Sequence, residues 1–160
     1  MHCPVCMMET DDSHISYMYA DMQFTFCSQQ CKERFTANPN LYVNQAGKTA
    51  VKHYIKSITK LRTLELEETI PDDIANAISQ SLMTMMGINK VEVKGKEITI
   101  TYNLLEATTE QIEEHIEQMG QSLSRNWIDR LKRAFIHYSE ETELDNLEQG
   151  DGYSCHNPPK

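Results

Sequence analysis

Two short cysteine pairs near the start of the chain constrain its fold more than any other feature. Two residues separate Cys3 from Cys6, three separate Cys27 from Cys31, and 20 residues lie between the pairs. Each spacing lets two sulfurs reach one ion at about 2.3 Å, and the gap between the pairs permits a hairpin that brings all four together. The spacing therefore predicts one tetrahedral metal site formed by Cys3, Cys6, Cys27 and Cys31.

The sequence leaves the choice of metal open. Zn²⁺ suits a closed site with four protein ligands, Cu(I) needs only two or three thiolates, and an iron–sulfur cluster ranks third. His2 or His14 could replace a cysteine or support the site. Four methionine thioethers could also contribute, but we expect them to fill gaps in a small core. These are Met7, Met8, Met18 and Met22.

Composition and charge limit the classes of protein to which this chain can belong. The 160 residues carry 15 basic and 24 acidic side chains, a net charge of −9 that repels nucleic-acid phosphates and anionic membrane surfaces. No apolar run approaches the roughly 20 residues of a membrane span, and the first residues lack a signal-peptide pattern. We therefore expect a cytoplasmic protein with reduced thiols, no nucleic-acid partner and no membrane insertion. Without a phosphate-binding loop or a nucleophile elbow, we expect no enzyme.

The cysteine-free middle of the chain alternates strand and helix patterns. Period-2 patterns predict strands at residues 64–66, 91–93 and 98–102, and helical stripes run over residues 74–86 and 112–119. The order β-α-β-β-α predicts a split-βαβ, ferredoxin-like fold with two helices on one face of an antiparallel sheet. Only residues 121–123 are available for a fourth strand.

A third helix is predicted after Ser124, which could cap its first turn. Its apolar residues recur at helical spacing and are Trp127, Leu131, Phe135 and Tyr138. This stripe could bind a partner, but we favour a position over the edge or face of the chain's own sheet, because apolar stripes are usually buried.

These patterns predict an α+β protein: a small head, a ferredoxin-like body and an extra C-terminal helix. Five segments follow, namely the head at 1–43, a polar linker at 44–56, the body at 57–123, the C-terminal helix at 124–148 and a flexible tail at 149–160. In the tail, Cys155 and His156 could capture or hand over an ion, although a stray cysteine is an equal interpretation.

The head carries a longer motif around its cysteines. It consists of Cys3-Pro4-Val5-Cys6-Met7-Met8, then Phe26-Cys27-Ser28-Gln29-Gln30-Cys31-Lys32-Glu33-Arg34-Phe35, then Asn38-Pro39-Asn40-Leu41-Tyr42. This pattern resembles the YHS/TRASH domain family over residues 2–43, with Phe24 where a tyrosine is common. The resemblance implies a treble-clef-like zinc-binding fold, a setting in heavy-metal trafficking, resistance or sensing, and no enzyme activity.

The body is similar to the heavy-metal-associated domain family in its β-α-β-β-α order and in Gly87-Ile88-x-x-Val91-x-Val93. That family binds metal through a Cys-x-x-Cys loop between the first strand and the first helix. In this chain, residues 67–73 lie between the first strand and the first helix of the body, and they contain no cysteine. The resemblance therefore implies a body that has lost its own site, which leaves metal binding to the head.

Our hypothesis from the sequence is a metal-binding accessory protein of heavy-metal homeostasis. It would act as a chaperone, buffer or delivery factor for a heavy-metal transport ATPase or another metal-handling protein. The alternative is a protein-interaction or regulatory module with a purely structural zinc, which the missing thiol loop of the body favours.

Overall fold

The head begins with a cysteine knuckle, followed by a β-hairpin and a helix. A computed structural model describes residues 1–11 and 15–150 of the chain. Strands β1 (Ile15–Tyr19) and β2 (Met22–Phe26) pair antiparallel, and helix α1 (Gln29–Ala37) and a 3₁₀ turn (Pro39–Leu41) follow. Knuckle, hairpin and helix in this order form the predicted treble-clef-like head.

An aromatic core holds the head together. Phe35 of α1 is fully buried, and its ring centroid lies 4.9 Å from that of Phe24 and 5.1 Å from that of Phe26. Tyr19 and Tyr42 also pack against this ring. Because rings of this size bury about 150–250 Å² each, a few of them supply most of the apolar burial that a small head requires.

The body has the predicted β-α-β-β-α order and an antiparallel sheet. Its elements are β3 (Thr59–Glu65), α3 (Asp72–Met83), β4 (Ile88–Lys94), β5 (Glu97–Asn103) and α4 (Thr109–Gln118). The sheet has the order β3-β5-β4, with β5 in the centre. Thr108 and Gln111 form a capping box at the start of α4, and Gly87, with φ +82°, allows the turn between α3 and β4. The ferredoxin-like fold is thereby confirmed.

A short backbone contact stands where the fourth strand of this fold would lie. Leu66 and Leu123 form an isolated antiparallel bridge. The Glu67 N–H donates to the Ser122 carbonyl at 2.8 Å, and the Ser124 N–H donates to the Glu65 carbonyl at 2.7 Å. Too few residues separate α4 from the next helix to extend this pairing along β3.

The core of the body lies between the sheet and its helices. The sheet contributes alternate residues of β3 and β5, and the helices contribute their inner stripes. The fully or almost fully buried members include Leu64, Ile98, Ile100, Tyr102, Ile78, Leu82, Ile112 and Ile116. No cysteine belongs to this group.

The C-terminal helix α5 (Trp127–Gln149) packs on the body with the face opposite to the one predicted. Leu144 and Glu140 are buried, whereas Leu131, Phe135 and Tyr138 are exposed, so the predicted burial of the stripe is wrong. The reason is that Tyr102 and Thr109 hydrogen-bond the Glu140 carboxylate and hold that face of the helix inward. The N-cap is also Asn126, whose Oδ1 accepts from the Ile128 N–H at 3.1 Å, and not Ser124.

The segment predicted as a linker contains regular structure. Residues 44–56 include the short helix α2 (Val51–Tyr54), with Ala50 and Val51 buried. The Asn44 Oδ1 accepts from the Ala50 N–H at 2.8 Å, which stabilises the turn before this helix. Of the predicted tail, residues 151–160, with Cys155 and His156, lie outside the described residues. None of the helices in the described ranges combines the length and the apolar character of a membrane span.

Candidate metal centre

The fold brings the four predicted cysteines to one point. The knuckle supplies Cys3 and Cys6, the end of β2 leads into Cys27, and the first turn of α1 carries Cys31. All four Sγ atoms lie within 4.8 Å of one another. None of the four cysteines forms a disulfide.

The distances between the sulfurs fit one tetrahedral ion. Sγ of Cys6 lies 3.3 Å from Sγ of Cys27, which lies 3.6 Å from Sγ of Cys31. Four bonds of about 2.3 Å in tetrahedral geometry place neighbouring ligands about 3.8 Å apart. The cluster can therefore hold a metal ion with little rearrangement, and its donor set suits a soft cation.

Burial divides the cluster into two halves. Cys3 and Cys31 are fully buried and belong to the same core as Phe35, whereas Cys6 and Cys27 are partly exposed. The cluster is thus buried on the side of Cys3 and Cys31 and lies nearer the surface on the side of Cys6 and Cys27.

The crowding of the sulfurs alters their pKa values. Hydrogen bonds from the thiols of Cys31 and Cys6 lower the pKa of Cys3. The same contact with Cys3 raises the pKa of Cys6 to about 12, and contact with Cys3 also raises the pKa of Cys31. Ionisation of one thiol therefore makes ionisation of its neighbours less favourable. A bound cation would remove this conflict, because it stabilises several thiolates at once.

Residues 1–46 match the family model of the YHS domain. This part of the chain is a YHS domain. The match extends three residues beyond the predicted head. No curated protein matches the chain.

Several solved structures are similar to part of the chain. The N-terminal soluble domains of Bacillus subtilis CopA match at 23% identity and a TM-score of 0.40, over 42% of this chain and 47% of that chain. Oxidized MerP from Ralstonia metallidurans CH34 matches at 14% identity and a TM-score of 0.39, over 42% of this chain and 96% of that one. The putative copper-ion-binding protein from Bacillus anthracis str. Ames matches at 24% identity and a TM-score of 0.40, over 42% of this chain and 99% of that one. This chain thus spans about half of the CopA structure.

The methionines of the YHS domain do not fill its core. Met7, Met8, Met18 and Met22 are between 46% and 61% exposed. The prediction of a gap-filling role is therefore wrong, and the reason is that the aromatic rings around Phe35 occupy the space. His2 lies with Nε2 4.0 Å from Oε1 of Glu9, and His14 lies outside the described residues.

Gln30, between two of the clustered cysteines, connects the YHS domain to the body. Its Nε2 donates to the carbonyls of Met86 at 2.8 Å and Glu106 at 3.0 Å, and its Oε1 accepts from the Met86 N–H at 3.1 Å. Nε2 of Gln111 donates to the Gln30 carbonyl at 3.2 Å. Sequence reasoning missed this residue, since only its position between Cys27 and Cys31 marks it.

The other end of α1 is fixed as well. Nδ2 of Asn38 donates to carboxylate oxygens of Asp145 and Glu148 on α5, both at 2.9 Å. The Tyr42 hydroxyl donates to the Leu105 carbonyl at 2.7 Å. The YHS domain is therefore held at both ends of its helix.

The loop that lacks the thiols lies at the far end of the body from the cluster. The Ile70 N–H in this loop donates to the carbonyl of Gly95, in the turn after β4, at 3.3 Å. The YHS domain instead meets Met86, just before β4 begins. A strand of seven residues spans about 20 Å, so an ion in the cluster would lie well away from residues 67–73.

Proposed function

We propose that the chain binds one soft metal ion through Cys3, Cys6, Cys27 and Cys31 and serves as an accessory protein of heavy-metal homeostasis. The observation that carries this proposal is the approach of four sulfurs to within 4.8 Å in a YHS domain. The role requires binding and transfer of an ion and no catalytic residue. A cytoplasmic location would keep the thiols reduced.

The uneven burial of the cluster supports exchange of the ion. Cys6 and Cys27 are partly exposed residues and would give an acceptor thiolate access to the metal, while the buried Cys3 and Cys31 stay bound to it. Delivery to a heavy-metal transport ATPase or another metal-handling protein is the partner class that we propose. Cu(I) suits this role because it can pass between sites of two or three thiolates.

A structural Zn²⁺ is the second candidate. Four thiolates form a closed tetrahedral site, and an ion there would join the knuckle to α1, which contacts the body through Gln30. In that case the metal stabilises the fold, and the protein acts as an interaction module.

The metal content of protein purified without added metal tests the proposal. Elemental mass spectrometry should find about one equivalent of zinc or copper in the full chain, and less than a tenth of that when all four clustered cysteines are replaced by serine. Cys155→Ser is the matched control and should keep the ion. A variant without the four cysteines that retains a full equivalent would refute the site.

Exchange kinetics then separate the two candidates. Loaded protein is mixed with a strong chromophoric chelator while circular dichroism follows the fold. Loss of the ion within seconds with the fold retained supports delivery. Release only together with unfolding supports the structural zinc, because metal binding is then folding free energy.

A further inference from the structure

Three arginines line one cavity at the start of α5, which we call the arginine cavity. Arg130 and Arg133 are three residues apart on one face of the helix, and Arg125 precedes the helix by two residues. Glu117 of α4 and residues 120–123 form the rest of the wall. The volume is about 580 Å³, within the range of about 300–1,000 Å³ for sites that bind small molecules.

Two of the three guanidinium groups have no counter-charge. Within the described residues, neither Arg125 nor Arg130 forms an ion pair with a carboxylate, and both are exposed. The nearest carboxylate along the chain is engaged elsewhere, because Oδ1 of Asp129 lies 3.9 Å from Nζ of Lys132 and its Oδ2 accepts from the Ser124 hydroxyl at 2.7 Å. Arg125 and Arg130 are therefore available to an anion in the cavity.

The third arginine is already held in place. The side chain of Arg133 is 18% exposed, its Nη1 donates to the Ser124 carbonyl at 2.9 Å, and its Nε lies 3.9 Å from Oε1 of Glu113. These contacts fix the guanidinium at the wall of the cavity before a ligand arrives. Binding there would therefore cost little additional side-chain entropy at Arg133.

The charge of the cavity is opposite to that of the chain. Among the described lining residues, three side chains are basic and one, Glu117, is acidic, whereas the chain carries a net charge of −9. A concave surface with one sign of charge concentrates the electric field, and the first turn of α5 adds the positive end of a helix dipole. The cavity therefore attracts anions although the chain as a whole repels them.

The donors in the cavity match oxyanions. A guanidinium group is a planar fork whose N–H groups pair with two oxygens of a carboxylate or a phosphoryl group. The exposed Ser122 also lines the cavity and carries a hydroxyl donor. We propose that the arginine cavity binds a small organic anion with two or more negative charges on phosphoryl or carboxylate oxygens.

This site is separate from the thiol cluster. The Ser122 carbonyl, in the wall of the cavity, accepts from the Glu67 N–H at 2.8 Å. The cavity therefore lies beside residues 67–73, at the end of the body that is far from the cysteines. The inference goes beyond the proposed function and does not depend on the metal.

Isothermal titration calorimetry of the full chain at low salt tests the site with two probes. Phenyl phosphate at pH 8, where it has lost its second proton, offers phosphoryl oxygens, and tricarballylate offers carboxylates. We expect at least one probe to bind one-to-one with a dissociation constant below about 1 mM, and the tighter probe identifies the preferred oxyanion. Failure of both probes to reach this affinity overturns the proposal.

Charge-neutral variants locate the binding. Arg125→Gln with Arg130→Gln should raise the dissociation constant at least about tenfold, because charge-assisted hydrogen bonds are the strong contacts of an anion. Lys90→Gln with Lys94→Gln removes the same net charge from exposed positions on β4, and we expect a change of less than about twofold. An arginine variant that binds like the wild type, or equal weakening in both variants, would refute the site.

A variant that should gain affinity completes the test, since loss of binding can also follow from a damaged fold. Glu117→Gln removes the acidic side chain of the lining and should tighten binding several-fold. Glu114→Gln is the matched control, because Glu114 is also exposed on α4 but lies outside the lining. Binding that is no tighter in Glu117→Gln than in Glu114→Gln would contradict the proposal.

Discussion

The side-chain amide of Gln30 pairs with the backbone of Met86 through two hydrogen bonds. Nε2 donates to the Met86 carbonyl at 2.8 Å, and the Met86 N–H donates to Oε1 at 3.1 Å. Because Gln30 lies between Cys27 and Cys31, the segment that supplies half of the thiol cluster is fixed to the ferredoxin-like body. The geometry of the cluster and the packing of the two domains are therefore linked.

Replacement of Gln30 should loosen this junction. Gln30→Ala removes the two bonds with Met86 and leaves the Glu106 carbonyl without this donor, so we expect a loss of about 1–3 kcal/mol in the free energy of unfolding. Urea unfolding followed by circular dichroism measures it. Gln29→Ala is the control, because Gln29 is exposed and bonds Glu33 on its own helix. Equal stability of the two variants would show that the junction does not depend on Gln30.

If the ion is a structural Zn²⁺, metal removal should destabilise the YHS domain before the body. In that case the ion joins the knuckle to α1, whereas the buried residues of the sheet include no cysteine. A strong chelator should therefore lower the melting temperature and expose residues 1–46 to limited proteolysis, with cleavage sites mapped by mass spectrometry. Cys27→Ser should show the same pattern without chelator. First cleavage within β3 to β5 would contradict this order.

The buried carboxylate of Glu140 should be among the most sensitive positions of α5. It accepts hydrogen bonds from the Thr109 N–H at 2.8 Å, the Thr109 hydroxyl at 2.7 Å and the Tyr102 hydroxyl. Glu140→Ala leaves the buried Thr109 N–H without this acceptor, and the two hydroxyls keep only their contact with each other at 2.6 Å. We therefore expect a loss of about 3 kcal/mol or more in the free energy of unfolding.

Glu141→Ala provides the comparison for that variant. Glu141 is the next residue along α5 and is exposed, and exposed substitutions usually change stability by less than about 0.5 kcal/mol. Guanidinium unfolding of both variants gives the difference. A Glu140→Ala protein as stable as Glu141→Ala would disprove the role of this carboxylate in docking α5.

The pair of His137 and Glu113 should make stability depend on pH. Nε2 of His137 lies 3.0 Å from Oε2 of Glu113, and this contact raises the pKa of His137, with smaller contributions from Glu110 and Glu140. A histidine pKa raised by folding stabilises the fold fully below the unfolded value of about 6.5. That contribution is lost as the pH rises through the folded-state pKa.

Unfolding at pH 6 and pH 9 in the wild type and in His137→Gln measures the effect. The wild type should be more stable than the variant at pH 6, and the difference should shrink at pH 9. His53→Gln, at an exposed position, should show a much smaller change. A difference that grows with pH would contradict the sign of the shift.

Local patterns were sufficient for the elements of the fold and for the cluster. The period-2 strands and the helical stripes are properties of neighbouring residues, and each of them overlaps an element of the structure. The first strand is placed least well, because β3 runs over Thr59–Glu65 and the prediction was residues 64–66. The spacing of the cysteines also predicted which four sulfurs would meet, because a knuckle and a hairpin leave them little freedom. These features could be predicted because they depend on short-range geometry alone.

Positions that depend on contacts between distant segments were harder to predict. Helical spacing identified the apolar stripe of α5, but Glu140, a charged residue that sequence reasoning places in water, is the side chain that faces the body. The methionines around the cluster were likewise assigned to a core that aromatic rings fill. In both cases, which side chain is buried depends on the other side chains that compete for the same space.

The sequence by itself determined the element order, the thiol cluster and the absence of cysteine from the loop at 67–73. These follow from residue type, spacing and periodicity, which act within a few turns of chain. Only the tertiary structure decided that Gln30 fixes the YHS domain to the body, that Asn38 fixes it to α5, and that α5 turns Phe135 to solvent. The physical reason is that these contacts join residues 56 or more positions apart, and no local pattern records which distant donor and acceptor will meet.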